Sequence, residues 1–246
     1  MEVSAVLITH NEAKNLPRVL EKLRWCEEVV VVDSGSTDDT SAIAKNFGAR
    51  VIHRNFDGFS SQKNFADRQA IHDWILSLDA DEVPSDDLNE SLCQIKADGA
   101  SCDAYCFPRK AFYLGKWINH SGWYPDKKIR FYDRRKTYWE GLVHESVKVN
   151  GVVGELNGDL LHYTCGSLRE HLSTIDHYTT LAAQQLLNNG HRPSIGKLLL
   201  APPWALFRSY WLKLGCLDGI HGLIIACMSA FYVFSKYVKV WRLNTK

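Results

Sequence analysis

Two carboxylates, Asp79 and Asp81, flank a single alanine in the segment WILSLDADEVP, at the end of an apolar run. At that spacing both crowd one loop, and two carboxylates at close range stay ionised cheaply only beside a cation. A hard divalent ion, Mg2+ or Mn2+, which takes oxygen ligands and substrate phosphates, meets that need. Two earlier apolar runs also end in polar clusters, Thr9, Asn11 and Glu12 after the first and residues 33–39 after the second. Asp and Asn serve ordinary turns after strands as well. Three such ends together point to a ligand rim, because an open parallel sheet binds ligands beyond the carboxyl ends of its strands.

Apolar periodicity supplies the elements that must position these residues. Residues 3–9 read as a strand, and 13–23 as a helix with Leu16, Val19, Leu20 and Leu23 on one face. A second strand over 29–32 leads to a helix through Phe47 that Ser36 or Thr37 can cap. Residues 50–53 and 74–78 read as further strands, with a helical segment over 60–71 between them. Strands that alternate with helices predict a parallel, doubly wound α/β sheet, since parallel neighbours need crossover helices. Beyond about residue 100 the strands become short and aromatic (104–108, 128–132, 145–149), which predicts a mixed or antiparallel extension. From Ser167 the pattern is helical, with a break expected at Pro202-Pro203. Residues 219–235 are 17 uncharged residues, at the lower limit for a membrane span, so an interfacial or buried helix is expected there.

With 46% apolar and 23% charged residues in a 246-residue chain, disorder is excluded and a core can form without staples. The seven cysteines are irregularly spaced with no CxxC pair, which excludes a zinc ribbon or disulfide framework and suits a reducing compartment. Met1 and Glu2 lead straight into a strand pattern, so no secretory leader is expected. The net charge of +1 hides an asymmetry: from His191 onward eight Lys or Arg face one acid, Asp218. Those cations are interleaved with apolar stretches, a texture that favours an anionic membrane surface as partner and not nucleic acid.

The segments VSAVLITHNEAKNL, EVVVVDSGSTDDT and LSLDADEVP, in that order, resemble the nucleotide-sugar glycosyltransferases of family two, over roughly residues 1–165. The resemblance implies a GT-A (Rossmann-like), mostly parallel α/β sheet as catalytic domain over 1–165, followed by a helical, basic and aromatic extension over 166–246. It implies that Thr9, Asn11, Glu12, Asp33 and Ser34 hold the base and ribose of a UDP-sugar. Asp33 is chemically suited to accept the imide hydrogen of uracil. It further implies that Asp79 serves the ribose and Asp81 a diphosphate-bound Mg2+ or Mn2+. YWEGLVHESV and ELNGDLLHYTC look like later family elements, which makes Glu145 the catalytic base and His162 a metal ligand. His144 is a close competitor for the base, and Asp126 and Glu140 stay open.

Arg130 and Arg134, in DKKIRFYDRRK, suit a diphosphate or an anionic acceptor, or a charged hairpin. Trp117, Trp123 and Tyr124 offer faces for sugar stacking or simple packing. Within the family the whole chain is most similar to bacterial lipopolysaccharide-core β-1,4-glucosyltransferases. That implies metal-dependent, inverting transfer of a hexose, glucose above all, to a glycolipid or lipopolysaccharide-core acceptor, by a cytoplasmic enzyme held peripherally at the inner face of the membrane. The rivals are a noncatalytic nucleotide- or carbohydrate-binding module and a nucleotidyltransferase. The latter usually carries a glycine-rich basic loop after its first strand, where this chain has THNEAKNL, without glycine.

Overall fold

The computed structural model describes residues 1–141 and 145–244. Strands and helices alternate first, as β1 (Val3–Thr9), α1 (Leu16–Lys22), β2 (Glu28–Asp33), α2 (Thr40–Asn46), β3 (Arg50–His53), α3 (Phe59–Gln69), β4 (Trp74–Asp79), β5 (Glu82–Pro84) and α4 (Asp86–Asp98). Strands then dominate, as β6 (Ala104–Tyr113), β7 (Lys116–Trp117), β8 (Asp126–Asp133), β9 (Thr137–Glu140), β10 (Ser146–Val149), β11 (Val153–Glu155) and β12 (Leu160–Cys165). Helices α5 (Leu168–Asn188), α6 (Ile195–Phe207) and α7 (Ile220–Asn244) complete the chain. It divides into two compact units, one of Met1–Arg109 with Lys127–Tyr163, the other of Lys110–Asp126 with Thr164–Lys246. The second therefore takes in a segment well before residue 166, the boundary expected from the sequence.

In the first unit β3, β2, β1 and β4 are parallel neighbours in that order, and β8 joins β4 antiparallel. This is the expected parallel α/β sheet with a mixed extension. Both faces are covered, which is why β1 and β2 read as continuous apolar runs and not as alternations. Val3, Ala5 and Leu7 pack on one side with Leu16, Val19 and Leu20 of α1. Val6, Val30 and Val32 pack on the other with Ala66 of α3.

Helix α2 begins at Thr40, later than the expected Ser36 or Thr37 cap. Those residues are used elsewhere: Ser36 donates its hydroxyl to Asp33, and Thr37 N–H donates to Asn11 Oδ1 at 2.8 Å. Helix α3 departs further from expectation, because its buried face is Gln62, Lys63, Ala66 and Asp67. Asp67 accepts the Tyr132 hydroxyl at 2.9 Å, and Trp139 Nε1 donates to the same hydroxyl at 2.7 Å. Burial pushes the Asp67 carboxyl up to about 7, in spite of the Tyr132 hydroxyl and the Lys63 charge. A carboxyl raised in the folded state contributes stability below its unfolded pKa and loses it as pH rises through the folded one. Asp67→Asn is therefore expected to gain on the wild type by roughly 2 to 3 kcal/mol between pH 5 and pH 8.5. Urea unfolding at the two pH values checks this, and a pH-independent difference would contradict it.

In the second unit α5 and α6 both lie along α7. The expected break at Pro202-Pro203 does not occur, since both prolines sit inside α6. Each costs an isolated helix about 3 kcal/mol, and packing along α7 holds the helix through them. A five-residue π-helical turn, Arg208–Leu212, comes directly after α6. A Cβ on Gly222 would lie 1.8 Å from the Gly215 carbonyl oxygen, so only glycine fits where α7 starts. Asp218 is buried and accepts His120 N–H at 2.9 Å and Asn119 N–H at 3.2 Å. Residues 222–234 belong to α7, which is long and apolar enough to cross a membrane, and only 17% of its most apolar stretch is buried.

Candidate active site

Parallel register places Thr9 beside Asp33 and Ile8 beside Asp79, so the carboxyl ends of β2, β1 and β4 form one rim. Asp33 is fully buried and accepts Ser36 N–H at 3.1 Å, the Ser36 hydroxyl and the His53 ring Nδ1 at 3.1 Å. Burial alone would raise its pKa, but the Ser36 hydrogen bonds and His53 outweigh this and hold the carboxyl below its usual range. Asn11 has a φ of 56°, a left-handed conformation that Asn takes at lower cost than most residues. Its N–H donates to Ser36 Oγ at 2.9 Å and Glu12 N–H to Thr40 Oγ1 at 2.8 Å, which ties the β1 turn to the β2 turn. Ser34 N–H donates to Thr9 O at 2.9 Å, and Gln62 Nε2 donates to Ser34 Oγ at 2.9 Å.

Asp79 is held by two buried cations, Lys63 Nζ at 2.8 Å and Arg130 Nη2 at 2.7 Å. Arg130 also meets Glu82 at 2.9 Å, and Arg109 reaches the same Glu82 oxygen at 3.0 Å. Burial would raise the Asp79 carboxyl, but the Lys63 and Arg130 charges hold it well below the usual carboxylate range. Lys63, 1% exposed, also hydrogen-bonds Glu145 Oε1 at 3.1 Å and lies 4.5 Å over the Trp139 ring. One ammonium thus ties the strand-end aspartate to the expected base.

Asp81 lies two residues beyond Asp79, and its Oδ2 is 3.1 Å from His162 Nε2. Register brings His162 opposite Glu82 on the antiparallel β12–β5 pair. The Glu12 carboxyl is raised, first by burial and then by the nearby Asp81, Asp38 and Asp79 charges. Among the described residues no three His, Cys, Asp or Glu form a closed metal cage. One carboxylate with one imidazole, amid accumulated negative charge, still fits a divalent ion that takes its remaining ligands from phosphates and water. Asp79 is less available to it, since two protein cations already occupy that carboxylate.

Thr9, Asn11, Glu12, Asp33, Ser34, Asp79, Asp81, Glu145 and His162 all belong to the first unit. Both arginines offered for an anion are paired within the protein. Arg130 is 3% exposed and pairs with Asp79 and Glu82, which supports the rim. Arg134 pairs with Asp73 and donates to the Asp67 and Ala70 carbonyls, at the start of β4, the end opposite Asp79. Trp123 belongs to the second unit, with Tyr113 and His171, and so do Trp117, Tyr124 and Asp126. Glu140 is an exposed partner of Lys148, while His144 lies outside the described residues. Lys63 and His53 were not singled out by sequence; the one available signal for Lys63 was its place four residues before Asp67, on a helix whose apolar face is weak.

A parallel α/β sheet whose β1, β2 and β4 ends carry this rim is the GT-A glycosyltransferase architecture. Residues 4–148 match the family described as Glycosyl transferase family 2. The chain is 30% identical over 250 residues to the lipopolysaccharide core biosynthesis glycosyltransferase LpsC of Rhizobium meliloti, covering 98% of this chain and 93% of the relative. An uncharacterized glycosyltransferase of Rickettsia typhi is 28% identical over 258 residues, covering 100% and 88%. The crystal structure of Staphylococcus aureus TarS 1-349 is similar in fold, with a TM-score of 0.51 at 17% identity over 97% of this chain and 91% of that one. The chain belongs to glycosyltransferase family 2.

Proposed function

We propose that the chain transfers a hexose, glucose first among candidates, from a UDP-sugar to a glycolipid of the lipopolysaccharide core, with inversion at the anomeric carbon. The observation that carries this is Lys63, which fastens Glu145 to Asp79 on the rim where Thr9, Asp33 and Ser34 converge. The name of the R. meliloti relative supports the acceptor class, and a UDP-GlcNAc complex of TarS agrees with the donor class.

Glu145 removes the proton from the acceptor hydroxyl as that oxygen attacks the anomeric carbon. The bond from that carbon to the diphosphate oxygen breaks, and its electron pair leaves with UDP. Asp81 and His162 would hold a divalent ion that neutralises charge on the departing diphosphate. Asp33, held ionised, accepts the uracil imide hydrogen. Asp33→Ala is accordingly expected to weaken UDP binding by about 1.5 to 3 kcal/mol, the worth of a hydrogen bond to a charged group. Calorimetry with UDP checks this, and unchanged affinity would remove Asp33 from the base pocket.

The test of the whole reading is UDP release from UDP-glucose, UDP-galactose and UDP-GlcNAc, with GDP-mannose as control, in Mg2+, Mn2+ or chelator. Turnover of one UDP-hexose that is lost in chelator and in Asp81→Asn is expected. Equal turnover in chelator would overturn the metal assignment, and pyrophosphate release from a nucleoside triphosphate would favour a nucleotidyltransferase.

The second unit supports peripheral attachment to an anionic bilayer at the cytoplasmic face. Its exposed side chains include Leu200 at 72%, Trp204 at 57%, Trp211 at 56% and Leu217 at 64%, beside Lys197, Arg208 and Lys213. The single acid of the C-terminal stretch, Asp218, is buried. Vesicles rich in anionic lipid should sediment the full chain in a salt-sensitive manner, and carbonate-resistant binding would replace this with a spanning α7.

A further inference from the structure

Within the second unit lies a cavity of about 430 Å³, bounded by α5, α6, the π-helical turn and α7. Its lining is chemically divided. Ile175, Ile225, Met228 and Val233 provide an apolar wall, whereas Arg208 and Lys213 bring two cations and Trp123 an indole. Among the described residues no Asp or Glu lines it. Among the described residues neither Arg208 nor Lys213 has a side-chain hydrogen bond or ion-pair partner, in contrast to the paired Arg130 and Arg134 of the first unit. Lys213 is drawn over the cavity edge, where a Cβ on Gly122 would lie 3.2 Å from its side chain.

Ser121 shapes the cavity edge. It lines the cavity, is 7% exposed, and its Oγ is buried against Gly215, where a Cβ would lie 2.7 Å from it. Its φ of 62° is left-handed, a conformation that costs a non-glycine residue energy and clusters at binding sites. Its backbone is fixed on both sides, since Ser121 N–H donates to Lys213 O at 2.8 Å and Ser209 Oγ lies 3.5 Å from Ser121 O. The π-helical turn that carries Arg208 and Ser209 is itself a rare element, frequent at functional sites.

We infer that this cavity is a binding site for an acidic glycolipid head group: the sugar against Trp123, its carboxylate or phosphate between Arg208 and Lys213, and its apolar aglycone on Met228 and Val233. Unpaired cations without a competing acid select an anion. The indole favours a sugar over a bare phosphate. The apolar wall has no role for a free ion. The inference deepens the acceptor class proposed above and rests on that reading for its biological occupant, but the binding itself needs neither donor nor turnover.

Octyl glucuronide, octyl glucoside and dihexanoyl phosphatidic acid, each below its micellar concentration, are titrated into the full-length protein and followed by calorimetry and tryptophan fluorescence. Octyl glucuronide should bind one to one, with the neutral glucoside and the phosphatidic acid each at least tenfold weaker. Arg208→Ala and Lys213→Ala should each weaken the glucuronide by at least about tenfold, as expected for charged hydrogen bonds. Met228→Trp, which fills the apolar wall, should abolish binding without removing a charge. Equal affinity for the glucoside would overturn the anion site, and tighter binding of phosphatidic acid would make the cavity a phospholipid site. Binding retained in Met228→Trp would place the ligand elsewhere. A chain that binds octyl glucuronide yet releases no UDP from any sugar nucleotide would sink the proposed transfer and leave this site standing; the reverse result would sink the site alone.

Discussion

Replacing Lys63 by methionine should destabilise the first unit by about 3 to 5 kcal/mol, the range seen when one partner of a buried ion pair is removed. The loss has a definite origin. Methionine fills much the same volume, so packing on Trp139 survives, but Glu145 loses the ammonium at 3.1 Å and Asp79 keeps only Arg130. A carboxylate oxygen at Glu145 then loses its ion-pair partner in a half-buried place. Arginine at the same position keeps the charge but not the volume, and should recover part of the stability. Urea unfolding followed by tryptophan fluorescence measures both variants. A change below about 1 kcal/mol for Lys63→Met, the level of an exposed pair, would mean that solvent screens this network. Donor turnover should fall with it, because the ammonium that orients Glu145 against Asp79 is gone.

Glu145→Gln should cut turnover by at least about 100-fold, the lower end of what a positioned general base contributes. Donor affinity should hardly move, since Asp33, Ser34 and Asp79 are untouched. The amide keeps the shape of the side chain, and its oxygen still accepts from Lys63, so the variant removes basicity more than structure. Steady-state kinetics with the donor found in the screen, paired with calorimetry on UDP, separates the two effects. Equal turnover would move the base elsewhere, and His144→Ala is then the decisive comparison. A fall in UDP affinity as large as the fall in turnover would instead make Glu145 a donor-binding residue. A binding module without catalysis is excluded by the first outcome.

Hydrophobic periodicity alone set the succession of strands and helices over the first hundred residues, and with it the rim. The β1, β2 and β4 runs are apolar on both faces, because a parallel sheet covered on both sides demands it, and their polar ends could only be loops at one edge. Thr9, Asp33, Asp79 and Asp81 were therefore legible from the hydrophobic runs and the polar residues that end them. The partners of those residues were not. Helix α3 turns Gln62, Lys63 and Asp67 inward, and a pattern reading that equates buried with apolar assigns that face to solvent. The inward charges are tolerated only because Asp79, Glu145 and Tyr132 arrive from β4, the loop before β10, and β8, up to 82 residues away in sequence. The same holds for Arg130 and Arg134 of DKKIRFYDRRK, which the antiparallel register of β8 on β4 sends to opposite ends of one strand. Pro202 and Pro203 read as a break from local sterics, and packing along α7 overrode them. Local pattern reports the backbone's own preferences, whereas charge pairing, register and burial are long-range energies that exist only once the chain has closed on itself.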